Sequence, residues 1–274
     1  MKRGAGTRYW DAEITLSAAA AALRDPAPLT GPYDGDPLDL TIFVSCYNEA
    51  DYIIGTIDTV LDAAKSAGVS HEILVIDDGS RDESPRLVAD YIRAHPDENI
   101  VLRVNRANKG LAQNYMDGAF LGRGKYYRLI CGDNAEPKES ILAVFNAIGQ
   151  ADIIVPYYTS SEGKGVRRIL ISNTYTAIVN LMTGNRLHYY NGLAVHLRYN
   201  VMRWHPNTRG FGFQADILCL LIDLGFSYLE VPVIMIEQRR GRSNALTFRN
   251  LLSVGHTLFE IGNRRLSNRL YRRR

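Results

Sequence analysis

A chain of 274 residues with 46% hydrophobic content is long enough to bury one large α/β core and is not composed like a disordered or fibrous protein. Its formal net charge of +3 excludes a molecule built as a whole to bind polyanions, so no nucleic-acid partner is expected.

Residues 1–38 read as an N-terminal extension. A short helix is expected at Ala18–Leu23, and Asp25-Pro26-Ala27-Pro28 and Gly31-Pro32 then break the pattern. From Leu40 the rhythm becomes strand and helix in alternation. Strands are expected at Thr41–Cys46, Ile73–Ile76, Ile100–Val104, Tyr126–Ile130 and Asp152–Pro156. Helices are expected between them at Ala50–Ala67, Ser84–Ala94, Leu111–Leu121 and Lys138–Ile148. Such βαβ succession implies a mostly parallel sheet flanked by helices in a single domain, here residues 39–245, with right-handed crossovers. Beyond it the pattern is less regular. A helix with an unusually apolar surface is expected at Arg168–Met182, an edge strand at Tyr189–Leu197, a helix at Phe213–Leu224 and a strand at Tyr228–Ile236. Residues 246–274 form a C-terminal helix, Leu246–Gly262, and an arginine-rich tail. Six of the eleven residues from Arg264 to Arg274 are arginine, which suits a frayed, solvated end or contact with anionic lipid.

Cys46, Cys131 and Cys219 are far apart and lack metal-ligand spacing, as in a reducing compartment. No stretch approaches the roughly 18–20 apolar residues that span a bilayer, and the N-terminus lacks the order of a signal peptide. The expectation is a cytoplasmic chain, peripheral at most to the cytoplasmic face of a membrane.

The chemistry gathers where the strands end. Ile73–Ile76 runs into Asp77-Asp78-Gly79-Ser80, and strand alternation sends the two carboxylates to opposite sides. Similar polar clusters follow the other strands: Ser45-Cys46-Tyr47-Asn48-Glu49, Asn105–Gly110, and Cys131-Gly132-Asp133-Asn134-Ala135-Glu136-Pro137. Each alone is expected of any α/β protein. Four at the carboxyl ends of one parallel sheet converge on a single crevice, where such sheets bind ligands.

The order and identity of these clusters resemble the family 2 glycosyltransferases of GT-A (Rossmann-like) fold, within them the dolichyl-phosphate mannosyltransferase-like group. The resemblance runs from Val44 through Val75–Ser80, Asn108-Lys109-Gly110 and Gly132-Asp133. It continues in Gly210-Phe211-Gly212-Phe213-Gln214-Ala215-Asp216, Glu230-Val231-Pro232-Val233 and Arg240-Gly241-Arg242-Ser243-Asn244. It implies an enzyme that transfers a sugar, with inversion, from a nucleotide-sugar donor to an acceptor, which is lipid-linked, such as polyprenyl phosphate, or a saccharide. Tyr47 and Glu49 would frame the nucleotide, Asp77 or Asp78 would accept hydrogen bonds from base or ribose, and Lys109 would reach nucleotide oxygens. Arg239, Arg240 and Arg242 would clamp a phosphate. Asp133 matches the last acid of the family's Asp-x-Asp motif, which holds a divalent cation, Mg²⁺ or Mn²⁺. Here Cys131 occupies the first acidic position, leaving Asn134 and Glu136 as substitute ligands. Asp216 matches the acceptor-side acid, a general base for a hydroxyl acceptor. The apolar helix at 168–182 and the arginine-rich tail would rest on a membrane surface. A non-catalytic nucleotide-sugar-binding module of the same fold, or a nucleotidyltransferase, are the competing readings, and the second lacks a Gly-rich phosphate loop.

Overall fold

The computed structural model describes residues 38–159, 166–204, 212–236 and 248–271. The expected extension, apart from Leu38, the Gly210-Phe211 pair, the arginines at 239, 240 and 242, and Arg272–Arg274 lie outside them.

Five strands alternate with four helices in the first half. They are β1 (Leu40–Cys46), α1 (Ile53–Ala67), β2 (His71–Asp77), α2 (Ser84–Ala94), β3 (Ile100–Val104), α3 (Leu111–Leu121), β4 (Tyr126–Cys131), α4 (Lys138–Asn146) and β5 (Ile153–Tyr158). Then come α5 (Val166–Thr183), β6 (Val195–Leu197), α6 (Arg198–Met202), α7 (Phe213–Asp223), β7 (Tyr228–Val233) and α8 (Phe248–Tyr271). The seven strands form one sheet in the order β3-β2-β1-β4-β6-β5-β7. All neighbours run parallel except β6, which is antiparallel to both β4 and β5. The fold is thus the mostly parallel α/β sheet that the alternation predicts.

Apolar runs such as Ile42-Phe43-Val44 and Ile73–Ile76 are buried on both sheet faces, because each face carries its own core. On one face Ile42, Val44, Val75 and Ile130 meet Ile53, Ile57 and Val60 of α1, Val88 of α2 and Phe145 of α4. On the other, Phe43, Tyr127 and Val155 meet Tyr115 of α3, Val179 of α5, Phe213 and Leu218 of α7, and Ile261 of α8.

Two expectations are corrected. The strand at Tyr189–Leu197 shortens to Val195–Leu197 and lies inside the sheet rather than at its edge, where β3 and β7 stand. Residues 188–190 are engaged elsewhere: the His188 N–H donates to Glu230 of β7 and the Tyr190 hydroxyl to Asn180 of α5. The last helix does not stop at Gly262 but continues to Tyr271. Its arginines Arg264 and Arg265 turn inward to Asp216 and Asp223 of α7, so the arginine-rich run begins as packed helix rather than frayed tail.

The chain goes from β1 to β2 and β3 on one side, then returns to β4 on the other. This makes the carboxyl ends of β1 and β4 the topological switch point. Cys46 pairs with Asp77 and Ser45 with Cys131, so the loops after β1, β2 and β4 leave the sheet at one level.

Candidate active site

The loop after β1 carries Tyr47, 43% exposed despite its size, between buried Cys46 and exposed Asn48, the latter in the left-handed region at φ 55°. That loop is stitched to the one after β2. The Asn48 N–H donates to Ser80 Oγ at 2.9 Å, Glu49 N–H to Ser84 Oγ at 2.9 Å and Ala50 N–H to Asp82 Oδ2 at 3.1 Å. In return, Arg81 N–H donates to Asn48 Oδ1 at 2.8 Å. The half-buried Glu49 side chain runs beside Gly132.

Both members of the carboxylate pair are buried and occupied. Asp77 Oδ1 accepts the N–H groups of Gly79 (3.1 Å) and Ser80 (2.9 Å), and its Oδ2 accepts the Ser80 hydroxyl. Asp78 Oδ1 accepts Asn105 Nδ2 (2.9 Å) and Lys109 N–H (2.8 Å), while Oδ2 accepts Gly110 N–H (2.9 Å). Strand alternation does divide their work, as expected, but both divisions are internal. Asp77 folds its own turn, and Asp78 holds the start of α3. Gly110 can serve there because its φ of 88° is open to glycine. These bonds give the pair an internal role, folding two turns, beside the expected one of base or ribose acceptors; a carboxylate oxygen accepts more than one donor. Lys109 Nζ stands 3.2 Å from Asp117 Oδ2, which Arg103 also approaches.

Across the switch point lies the loop after β4. Gly132 fits because its N–H donates to the Ser45 carbonyl at 2.9 Å, while a Cβ would lie 2.6 Å from that oxygen. Asp133 follows, its Oδ1 shielded from solvent and without a hydrogen-bond partner. Asn134, at φ 51°, turns its amide onto α1, its Oδ1 3.2 Å from Thr59 Oγ1, which also lies 2.7 Å from the Gly55 carbonyl. Glu136 is 8% exposed and its Oε2 accepts from Arg128 Nη2 at 2.6 Å, while its Oε1 has no partner. Burial pushes the Glu136 carboxyl upward and the Arg128 guanidinium opposes it. Arg128 is fully buried in β4 and also donates to the Leu193 carbonyl at 3.1 Å. Burial drives the Cys131 thiol far up, and the charges of Asp133 and Glu136 add to it, so Cys131 stays a protonated packing group rather than a thiolate ligand.

The donor set fits a hard divalent cation. Two shielded carboxylate oxygens, Asp133 Oδ1 and Glu136 Oε1, lack protein donors. Mg²⁺ commonly takes one or two carboxylates and completes its shell with substrate phosphates and water. Among the described residues no group of three or more His, Cys, Asp or Glu is placed to hold a metal unaided.

Asp216 stands in the first turn of α7, 8% exposed. Its Oδ2 accepts the Trp204 indole N–H at 2.8 Å and its Oδ1 the Arg264 Nη1 at 2.6 Å. Each oxygen thus accepts one protein donor, and Asp216 ties α7 to α8 and to Trp204, just past α6. The structure therefore brings Tyr47, Glu49, Asp77, Asp78 and Asp133 to adjoining strand ends and joins Asp216 to Trp204 and Arg264.

Sequence reasoning missed the partners. Arg128 gave a signal, a lone charge in the apolar run Tyr126–Cys131. Trp204 and Arg264 gave none, since they reach Asp216 from 12 and 48 residues away.

The model of the family "Glycosyl transferase family 2" matches residues 41–204. Dolichyl-phosphate beta-glucosyltransferase of Dictyostelium discoideum is 32% identical over 105 residues, 36% of this chain and 32% of that protein. Polyprenol monophosphomannose synthase of Mycolicibacterium smegmatis is 24% identical over 215 residues, 74% of this chain and 79% of that protein. The chain thus spans about a third of the first relative's length and most of the second's. Among solved structures, glucosyl-3-phosphoglycerate synthase from Mycobacterium tuberculosis, in complex with Mn²⁺, UDP and phosphoglyceric acid, superposes with a TM-score of 0.62. It is 16% identical, and the match covers 82% of this chain and 78% of that one.

Proposed function

Since the chain belongs to glycosyl transferase family 2, we propose that it transfers one sugar, with inversion, from a nucleoside-diphosphate sugar to the phosphate of a lipid-linked acceptor. The observation that carries this reading is the meeting of three loops, after β1, β2 and β4, at the switch point of the sheet. The nucleoside lies against the exposed ring of Tyr47 and the half-buried Glu49. Asp77 and Asp78 serve it through the turns they hold, and the Lys109–Asp117 pair stands beside the start of α3. Asp133, with Glu136 held against Arg128, would bind a divalent cation. Such a cation, when bound, stabilises negative charge on the departing nucleoside diphosphate. Arg240 and Arg242 are assigned by the family resemblance to a phosphate clamp.

In the transfer itself an acceptor oxygen attacks the anomeric carbon opposite the diphosphate; the carbon–oxygen bond to the diphosphate breaks and its electron pair stays on the leaving oxygen. A hydroxyl acceptor needs a base for its proton. A phosphate monoester is already anionic and does not. The pairing of each Asp216 oxygen with a protein donor favours the second kind, and so do the names of two relatives, a dolichyl-phosphate glucosyltransferase and a polyprenol monophosphomannose synthase.

The lipid reading extends to where the protein works. Leu170, Ile171, Ile178, Leu181 and Met182 are exposed on α5, and Phe259, Leu266, Leu270 and Tyr271 on α8. The two helices touch where Gly262 meets Met182. No described helix is long and apolar enough to cross a membrane. We assign this two-helix surface to contact with the membrane that holds the acceptor.

The test is a transfer assay over UDP-, GDP- and dTDP-sugars with polyprenyl phosphate and with free saccharides, with and without Mn²⁺. Transfer to the polyprenyl phosphate from one donor is expected. Nucleotide binding without transfer to any acceptor would support a non-catalytic module, and neither binding nor transfer would remove the reading altogether.

A further inference from the structure

The loop after β1 has no regular structure of its own between Cys46 and the start of α1 at Ile53, yet three successive N–H groups in it are each claimed by a different side chain. Asn48, Glu49 and Ala50 donate in turn to Ser80 Oγ, Ser84 Oγ and Asp82 Oδ2. The acceptors are themselves braced. Ser80 Oγ donates to Asp77 Oδ2, and Asp82 Oδ1 accepts both the hydroxyl (2.6 Å) and the N–H (3.0 Å) of Ser84. Asn48 Oδ1 closes the set by accepting Arg81 N–H, and Asp78 N–H donates to the Cys46 carbonyl at 2.8 Å. A stretch with a left-handed residue at Asn48 would otherwise sample other conformations. Held this way, it has one outcome: Tyr47 stands out from the strand ends while the residues beside it are tied down.

We propose that Ser80, Asp82 and Ser84 are positioning residues for the nucleotide, acting on it through Tyr47 rather than by contact. The proposal rests on the nucleotide reading above and adds to it the reason the turn after β2 is rich in hydroxyls and carboxylates. Those groups face the neighbouring loop's backbone and set the angle at which the Tyr47 ring meets a base. Preorganisation of this kind spares the ligand the cost of ordering the loop.

The experiment measures UDP, GDP and dTDP binding by calorimetry in the presence of Mn²⁺, with a thermal melt on each sample. The full chain is compared with Ser80→Ala, Ser80→Thr, Asp82→Ala, Tyr47→Ala and the Tyr47→Ala/Ser80→Ala pair. Ser80→Ala and Asp82→Ala are expected to weaken the preferred nucleotide by about tenfold, with Ser80→Thr restoring it because the hydroxyl is kept. The double variant should bind no more weakly than Tyr47→Ala alone, since Ser80 works through that ring. Lowered melting temperatures with unchanged affinity, or losses that simply add in the double variant, would overturn the positioning role while leaving the nucleotide site standing. Absence of binding by the unaltered chain to all three nucleotides would overturn both.

Discussion

His196 brings both ring nitrogens into the fully buried centre of the sheet, on the short strand β6, with no hydrogen-bond partner for either. Burial lowers its pKa from 6.5 to about 3, so the folded protein keeps it neutral. The unfolded chain takes up the proton as pH drops below the mid-6s; the folded one does not until about 3. Stability contributed by the neutral ring is therefore complete above the unfolded value and is lost on acidification between the two. The loss is roughly 1.4 kcal/mol per pH unit, or about 2–3 kcal/mol at about pH 4.5. Chemical denaturation from pH 7 to 4.5 should show it, and His196→Leu should flatten that part of the profile. An equally steep profile in the variant would assign the acid loss to other groups. At the same scale, Asp216 is expected to matter for stability more than for proton transfer. Arg264→Ala leaves a buried carboxylate facing one donor instead of two and should cost about 3–5 kcal/mol in denaturant unfolding. A change below about 1 kcal/mol would show that the pair does not hold α8 in place.

Among the elements, α3 depends on a residue it does not contain. Its first turn has no side-chain cap of its own, and Asp78, just past the end of β2, supplies acceptors to Lys109, Gly110 and Asn105 instead. Asp78→Ala should leave those donors unpaired and destabilise the protein by about 2–4 kcal/mol, with hydrogen exchange rising first at residues 105–115. Exchange that stays unchanged there would return Asp78 to the role of a ligand acceptor. The positions of β1 to β4 and α1 to α4 were legible in the sequence because each segment carries its own period. Elements after β5 were less so. Strand β6 is three residues long, and α6 only five. Neither is long enough to show a period, and their places come from what they pack against.

For the molecule as a whole, α5 and α8 carry the most exposed large apolar side chains among the described residues; Leu181 is 87% exposed and Phe259 68%. From Ile261 to Arg274 the sequence holds six arginines and no Asp or Glu, and two of the six, Arg264 and Arg265, are paired with Asp216 and Asp223. Vesicles containing about a third anionic lipid should pellet the full chain, less so at high salt, and Leu181→Glu together with Phe259→Glu should abolish most of the pelleting. Equal pelleting of the double variant would place membrane contact elsewhere.

By itself the sequence determined the parallel α/β sheet, the crevice at its carboxyl edge and the residue types gathered there, because period, turn chemistry and motif order are local. It also marked Asp133 as the one acid kept at the end of β4. Only the tertiary structure decided which donors each acid meets. Asp77, Asp78 and Asp216 look like ligand groups in one dimension, but donors 2 to 48 residues away occupy them. Asp133 and Glu136 alone in that set keep a shielded oxygen without a protein partner. Hydrogen-bond partners drawn from separate segments leave no periodic trace in a sequence, so which acids meet the protein's own donors and which keep an unpartnered oxygen appears only once the chain is folded.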